Sequence, residues 1–323
     1  MTGRDRYSKK GHAHLHARKE VIFEFIHSHR NEHTVVMMCR VLGVSTSGYY
    51  LYVKRLDREE TEIEHWRKYV DERILFHFAD NHETYGSVRI HRKLVKKDKI
   101  NVSSKTVANR MRALGLFATP PKVYTVTTDS QHSNRTYNNN LNREFNPDAP
   151  NKVWVTDITY IPTHEGFLYF NPILDLFGRK VISYAMDDKM DRSLPLRALR
   201  EAIKLRQPKK GWIHHSDKGS QYCSNDYIDE LKEAKAKISM SRKATPYDNA
   251  CAESFFASMK KEYLNKYVFK TKAEAMGAVQ FYVEFYNRKR MHSTLEYATP
   301  NEYELAYFKA QAIDANKSHL TSA

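Results

Sequence analysis

The feature that most constrains the fold is a charge where charges are costly. In the run KVWVTDITYI (residues 152–161), apolar and aromatic residues occupy both faces, as in a central strand, yet Asp157 interrupts it. A buried carboxylate costs roughly several kcal/mol unless it is paired or bound to a cation. The fold must therefore bring compensation to Asp157. Two further strands, GFLYFNPILDLF and KVISYAMDD, follow on short turns suited to antiparallel pairing. Then come a helix (SLPLRALREAIKLRQ), a fourth strand (GWIHHSD), a helix (SNDYIDELKEAKA), a fifth strand (KISMSR), a long helix from near Asn249, and another around EAMGAVQFYVEFYNRKR. This order predicts a mixed α/β core with an antiparallel meander at one edge.

Upstream the texture is helical. Residues 1–16 read as a disordered basic arm whose His12, His14 and His16 belong to a solvated tail. Residues 17–56 read as a helical module with helix-turn-helix outline: a tight turn is expected at Gly43, and Ser45 is placed to cap the next helix. A helical hairpin that only packs fits that stretch equally well. Residues 57–122 form a second basic helical module. Gly86 can start a helix with Val88, Ile90 and Leu94 inward and Arg89, Arg92 and Lys93 outward. The next helix, within VSSKTVANRMRALGL, carries Lys105, Asn109, Arg110 and Arg112, a face suited to phosphates. Residues 123–150, rich in Asn, Thr and Ser, read as a linker. The α/β core spans 151–270, and 271–323 is a C-terminal helical extension and tail.

Lys and Arg outnumber Asp and Glu by 53 to 38, a net charge of +15. That excess predicts attraction to polyanions, with nucleic acid first. No apolar run approaches the roughly 20 residues that span a bilayer, and the first twenty residues lack a secretory pattern. The three cysteines, Cys39, Cys223 and Cys251, have neither paired zinc spacing nor a disulfide framework, which fits a reducing cytosol.

Two acids could join Asp157. Asp217 stands at the end of the fourth strand. If strands one and four are neighbours, the two carboxylates converge. Glu253 lies in the first turns of a helix whose stripe of Ala252, Phe255, Phe256, Met259 and Tyr263 would seat it on the sheet. Lys260 lies two turns along the same face, placed to steer a phosphate. Oxygen ligands suit Mg²⁺, and two such ions about 3.5–4 Å apart serve phosphodiester cleavage. Each acid also has a plainer reading. Asp217 could cap a turn, Asp248 suits an N-cap better than a ligand, and Asp175, Asp187 and Asp188 could pair with Arg179 or Lys189. Spacing alone leaves these alternatives open.

A resemblance bears on that choice. WVTDITYI, LDLFGRKVIS, IHHSDKGSQYCS, SMSRKATPYDNACAESFFASMKKEYL and FYNRKRMHSTLEYATP resemble the bacterial transposases of the insertion sequence three family, whose catalytic core is similar to retroviral integrases. YGSVRIHRKL and CRVLGVSTSGYY resemble the family's upstream helical modules. The likeness covers nearly all of residues 33–305. The family's acids are Asp, Asp and Glu with 35 residues between the last two, and here 35 residues separate Asp217 from Glu253. The match is to the family's second-reading-frame product. The upstream helix-turn-helix and leucine zipper of the frameshifted transposase are not seen. The chain departs from the family pattern at Asn171–Pro172, at Gly178 and before Ile238, away from the acids.

The resemblance implies an α/β RNase H-like catalytic core, a mixed five-stranded sheet with helices, preceded by all-helical helix-turn-helix-like modules. It implies a DDE-type DNA transposase of a bacterial insertion sequence. Asp157, Asp217 and Glu253 would hold two Mg²⁺, with Mn²⁺ as substitute, and would be the catalytic set. A 3′-hydroxyl freed at one element end would attack a phosphodiester without a covalent protein intermediate. It would join the other end first, giving a bridged form and then a circle. Expected DNA contacts are Lys260, Arg242, Lys243, Lys105, Arg110, Arg89, Arg92, Arg288 and Arg290. YNRKRMHS (residues 286–293) could instead cap the core. Expected partners are double-stranded DNA, both ends and target, and a second copy of the chain pairing two ends; no membrane is expected. The expected location is bacterial cytoplasm, at the nucleoid. A DNA-binding regulator without chemistry and an RNase H-like nuclease without joining activity are the alternatives.

Overall fold

The structure is a computed structural model that describes residues 19–56, 58–118, 136–242 and 245–321. The arm at 1–16, part of the linker and Lys243 lie outside the described residues. The chain divides into two compact units at Val70/Asp71.

The first unit contains helix α1 (19–28), α2 (Val35–Val41) and α3 (Thr46–Leu56). Phe23, Ile26, Met38, Cys39 and Tyr49 form its core. Gly43 takes the left-handed conformation the turn needs, with φ +69°. Ser45 Oγ accepts from Gly48 N at 3.1 Å, capping α3 as its position suggested. Helix α4 (Glu62–Asp80) contains the point of division.

The second unit begins with the end of α4, then α5 (Ser87–Lys96) and α6 (Ser104–Ala113). Ser103 Oγ caps α6 through Thr106 N at 3.0 Å. The faces of α5 differ from expectation. Val88 is exposed, whereas Lys93 is 2% exposed, with its Nζ 5.8 Å from the Tyr85 ring centroid. A long aliphatic stem buries well, and the aromatic face receives the ammonium. Burial lowers Lys93 from an ordinary 10.5 to about 8. The folded chain thus binds fewer protons than the unfolded chain between about pH 8 and 10.5, and stability climbs as pH rises through that window. Lys93→Met should raise the melting temperature at pH 7, by on the order of 1–2 kcal/mol of stability, and should flatten the climb. Thermal melts at pH 7 and pH 10 check both.

The sheet runs β1 (Val153–Thr156), β2 (Thr159–Thr163), β3 (Gly166–Asp175), β4 (Lys180–Asp187), β5 (Ile213–Ser216) and β6 (Lys237–Met240). Helix α7 (Ser193–Arg206) follows β4 and α8 (Asn225–Glu233) follows β5. Helices α9 (Ala250–Glu262), α10 (Lys272–Arg288) and α11 (Pro300–Thr321) complete the chain. β3 pairs antiparallel with β1, β2 and β4, while β1, β5 and β6 are parallel. Six strands form where five were expected, because the first breaks at Asp157–Ile158 into β1 and β2, both along β3. Side chains take over the backbone bonding there: the Asp157 carboxylate accepts from Ile158 N and Asn171 donates to Asp157 O.

One face of the sheet packs on α9 and α10 through Val155, Phe170, Phe255, Phe256, Met259, Val279 and Tyr282. The other packs on α7 and α8 through Trp154, Leu199, Tyr227 and Leu231. Both outer strands receive bonds from outside the sheet, which limits the template for edge pairing. Asn287 on α10 bonds Val181 N and O of β4 at 3.1 and 2.8 Å. Residues 138–141 lie along β6: Met240 N donates to Asn138 O at 3.2 Å, and Ser239 Oγ accepts from Asn140 N and Leu141 N at 2.9 and 3.0 Å. This part of the expected linker, with Leu141 1% exposed, belongs to the core, as does α10 from the expected extension.

Candidate active site

Parallel pairing of β1 with β5 sets Val153, Trp154 and Val155 beside Ile213, His214 and His215. Two residues further on, the same register sets Asp157 beside Asp217. Both follow the carboxyl ends of adjacent parallel strands, which lie about 4.8 Å apart. That edge is the usual ligand-binding edge of such sheets.

Asp157 sits in the strand break. Its Oδ1 accepts from Ile158 N at 2.8 Å, and its main-chain carbonyl accepts from Asn171 Nδ2 at 2.8 Å. Asp217 opens a tight loop, with Oδ1 accepting from Gly219 N at 2.9 Å. A Cβ at Gly219 would meet that Oδ1 at 3.0 Å, so only glycine fits without displacing the carboxylate. Glu253 enters on the first turn of α9. Its helix is seated by Ala252, Phe255, Phe256 and Met259 and is pinned at its start, where Asn249 Nδ2 donates to Thr156 O at 3.2 Å.

Burial raises the Asp157 carboxyl well above its ordinary range, the Asp217 charge raises it further, and Glu253 adds to both. Burial also raises Glu253. Lys260 opposes these effects at Asp157, and its Nζ stands 5.1 Å over the Tyr160 ring centroid. Among the described residues, no three His, Cys, Asp or Glu side chains close around a single point as a metal cage. The charges of Asp217 and Glu253 both act on Asp157. An all-oxygen, net-negative donor set of this kind suits hard divalent cations that keep water ligands, so the residues fit Mg²⁺.

The rival acids go elsewhere. Asp175 is buried at the far end of β3, where it accepts from Asn151 N at 2.7 Å and Phe177 N at 3.0 Å, and burial pushes it up to about 6. Asp187 pairs with Arg197 and Asp188 with Lys272, not with Arg179 or Lys189. Asp248 is not an N-cap. Fully buried, it is held by Arg242 (Nε 2.9 Å, Nη2 3.0 Å) and Arg143 (Nε 2.9 Å), and the Arg242 side chain does most to hold its carboxyl far below the usual range.

The basic residues sort by what they touch. Lys105 and Arg92 are exposed, Arg92 lying 5.1 Å from the Tyr297 ring centroid. Arg110 is bound by Asp71 through both Nε (2.7 Å) and Nη2. Arg89 is half-buried, 3.5 Å from Glu262, and Arg288 pairs with Glu284 at 3.0 Å. Arg242 is committed to Asp248. Arg290 is buried, with Nε and Nη2 each 2.7 Å from the Glu262 carboxylate, so this part of YNRKRMHS caps the core. Sequence reasoning missed Asn171 and Asn249. The signal for Asn171 was available: a polar residue within FNPIL raises the same question as Asp157.

Residues 147–246 match an integrase core domain family, residues 234–300 a second integrase core domain family, and residues 65–124 an HTH-like domain. The two aspartates fall in the first match, Glu253 and Lys260 in the second. The mixed sheet with helices on both faces is thus an integrase-type, RNase H-like core behind a helix-turn-helix-like module. The chain is 39% identical over 280 residues to the insertion element IS600 31 kDa protein of Shigella sonnei, covering 85% of this chain and all of that one. It is 35% identical over 283 residues to the transposase InsF of IS3A from Escherichia coli K12, covering 87% and 98%. Among solved structures, it is similar to the HTLV-2 integrase catalytic core in complex with magnesium, with TM-score 0.39 and 18% identity, covering 49% of this chain and 98% of that one. The chain belongs to the IS3 family of insertion-sequence transposases. Among the described residues, no helix is long and apolar enough to cross a membrane.

Proposed function

We propose that the protein cuts and joins DNA at the ends of an insertion sequence, with Asp157, Asp217 and Glu253 as the catalytic set. The observation that carries this reading is the parallel register of β1 and β5, which puts Asp157 and Asp217 side by side at the carboxyl edge of the sheet, with Glu253 on the first turn of the helix packed against it. The three carboxylates would hold two Mg²⁺, for which Mn²⁺ would substitute, and the ions would supply Lewis-acid stabilisation. The chain's own residues fix the geometry. The bonds from Ile158 and Gly219 orient the two aspartates, α9 brings Glu253 beside them, and Lys260 draws a phosphate oxygen toward the acids. Water first breaks a P–O bond at one element end, leaving a 3′-hydroxyl. That hydroxyl then attacks a second phosphodiester, forming one P–O bond and releasing another 3′-oxygen, which takes a proton. No Ser or Tyr is acylated or phosphorylated in either step.

Duplex DNA, as ends and as target, is the proposed partner, with at least two chains pairing two ends. Base and phosphate contacts are assigned to the exposed face of α6. Lys105 is free to meet phosphate there, and Arg112 is exposed with Nη1 3.0 Å from Asn109 Oδ1. Replacing one phosphate-contacting Lys lowers the slope of log affinity against log salt by about 0.9. Lys105→Ala should do so, whereas Arg110→Ala, which breaks the Asp71 pair, should lower the melting temperature and leave the slope unchanged. Filter binding across a salt series and thermal melts separate the two.

The test of the function is a strand-transfer assay on paired element-end fragments with Mg²⁺. Joined product supports the reading. Cleavage without joining indicates a nuclease, and binding without product indicates a regulator of the frameshifted transposase.

A further inference from the structure

Asn171 and Tyr222 form a brace that the reaction scheme above does not use. Asn171 lies mid-strand in β3 with no exposed surface, and Tyr222, in the loop after Asp217, is 2% exposed. The Asn171 side-chain nitrogen has three acceptors within hydrogen-bond range: Asp157 O at 2.8 Å, Thr156 Oγ1 at 2.9 Å and Tyr222 Oη at 2.8 Å. Thr156 Oγ1 in turn donates to Pro172 O at 2.8 Å, returning to β3. The nitrogen has two N–H groups for three acceptors; donating to Asp157 O and Tyr222 Oη, it joins the strand break carrying the first acid to the loop carrying the second, with Thr156 Oγ1 of β1 also within range.

The orientation of that amide is fixed by chemistry. A main-chain carbonyl only accepts, so the nitrogen must face Asp157 O. Among the described residues, the other amide atom, Asn171 Oδ1, has no hydrogen-bond partner. Leaving a buried acceptor unpaired is unfavourable. The arrangement favours the bond to Asp157 at the expense of the amide's own oxygen.

We propose that Asn171 and Tyr222 are positioning residues that set the separation and aim of Asp157 and Asp217 for divalent-cation binding. The inference rests on the triad reading and adds residues that touch neither substrate nor ion. Partners bonded directly to metal ligands govern ion affinity by about 10–100-fold, and a brace acting through the main chain should fall at the low end of that range. In the full-length protein, Mn²⁺ affinity is measured by electron paramagnetic resonance without DNA, alongside thermal melts in EDTA. Asn171→Ala should weaken Mn²⁺ binding by about tenfold and Tyr222→Phe by less, with end-DNA binding in EDTA unchanged. Excess Mn²⁺ should restore the strand-transfer rate in both variants. Tyr222→Phe keeps the ring in the core and serves if Asn171→Ala does not fold.

Variants that melt lower but bind Mn²⁺ as the wild type does would overturn the brace and make these residues purely structural. An Asp217→Asn control distinguishes the two failures. If wild-type Mn²⁺ binding does not depend on Asp217, the triad reading fails. If it depends on Asp217 but not on Asn171 or Tyr222, only the brace fails.

Discussion

Asp157→Asn, Asp217→Asn and Glu253→Gln are each expected to reduce strand transfer by roughly 10³-fold or more, about 4 kcal/mol of transition-state stabilisation at 1.36 kcal/mol per decade. The three carboxylates act as one unit, so the losses should not add: any pair should cost little more than either single change. End-DNA binding should survive, because phosphate contacts elsewhere dominate affinity. A second consequence separates this account from misfolding. Asp217 and Glu253 both act on Asp157 as like charges at a buried position. Removing one of them should raise the melting temperature in metal-free buffer, while strand transfer assayed with Mg²⁺ is lost. Strand-transfer rates and thermal melts on the same preparations test both. A variant that loses activity and stability together would point to a structural role instead.

Arg290→Met is expected to destabilise the 71–321 unit by about 3–5 kcal/mol, because breaking one side of a buried ion pair leaves its partner uncompensated. Arg290 and Glu262 are both nearly buried, with two bonds of 2.7 Å between them. Tyr282 Oη donates to Glu262 Oε2 at 3.0 Å, and Arg290 Nη2 lies 3.3 Å from Ser258 Oγ. Arg89 stands 3.5 Å from the same carboxylate. This hub joins α9 to the turn after α10 and to α5, so its loss should lower the melting temperature by roughly 10 °C. The sign with pH follows from Glu262. Although burial opposes it, the Arg290 bond and charge leave Glu262 below its ordinary 4.5. The pair's contribution is therefore present above about pH 4.5 and is lost as pH falls through the folded value. Wild type should weaken over that acid range more steeply than Glu262→Gln. Melts from pH 3 to pH 7 provide the measurement.

The order of strands and helices in the second half could be read from the chain, because apolar runs and caps there agree with the tertiary fold. Asp157 stood out for a related reason, since a charge in an apolar strand demands partners that only folding can supply. Its local consequence was less legible. The strand breaks at Asp157 because Ile158 N turns to the carboxylate and Asn171 takes the carbonyl, a trade of ladder bonds for side-chain bonds that no periodicity encodes. Charge runs were read least well. Arg290, Arg110 and Arg242 look alike on the page, yet each is held by an acid distant in sequence: Glu262, Asp71 and Asp248. Lys93 was assigned outward because lysine seldom buries, and Tyr85 is what admits it. The boundary near 150 was blurred by residues 138–141, whose polar composition suggests linker while their amides pair with Ser239.

The central claim is that three acids far apart in sequence together hold divalent ions, and direct counting of bound Mn²⁺ tests it with least intervening inference. Electron paramagnetic resonance titration of the full chain with end DNA should show two bound Mn²⁺ per active chain, with binding sharply weakened in Asp157→Asn, Asp217→Asn and Glu253→Gln alike. Mn²⁺ binding unchanged in any one of the three would contradict the account.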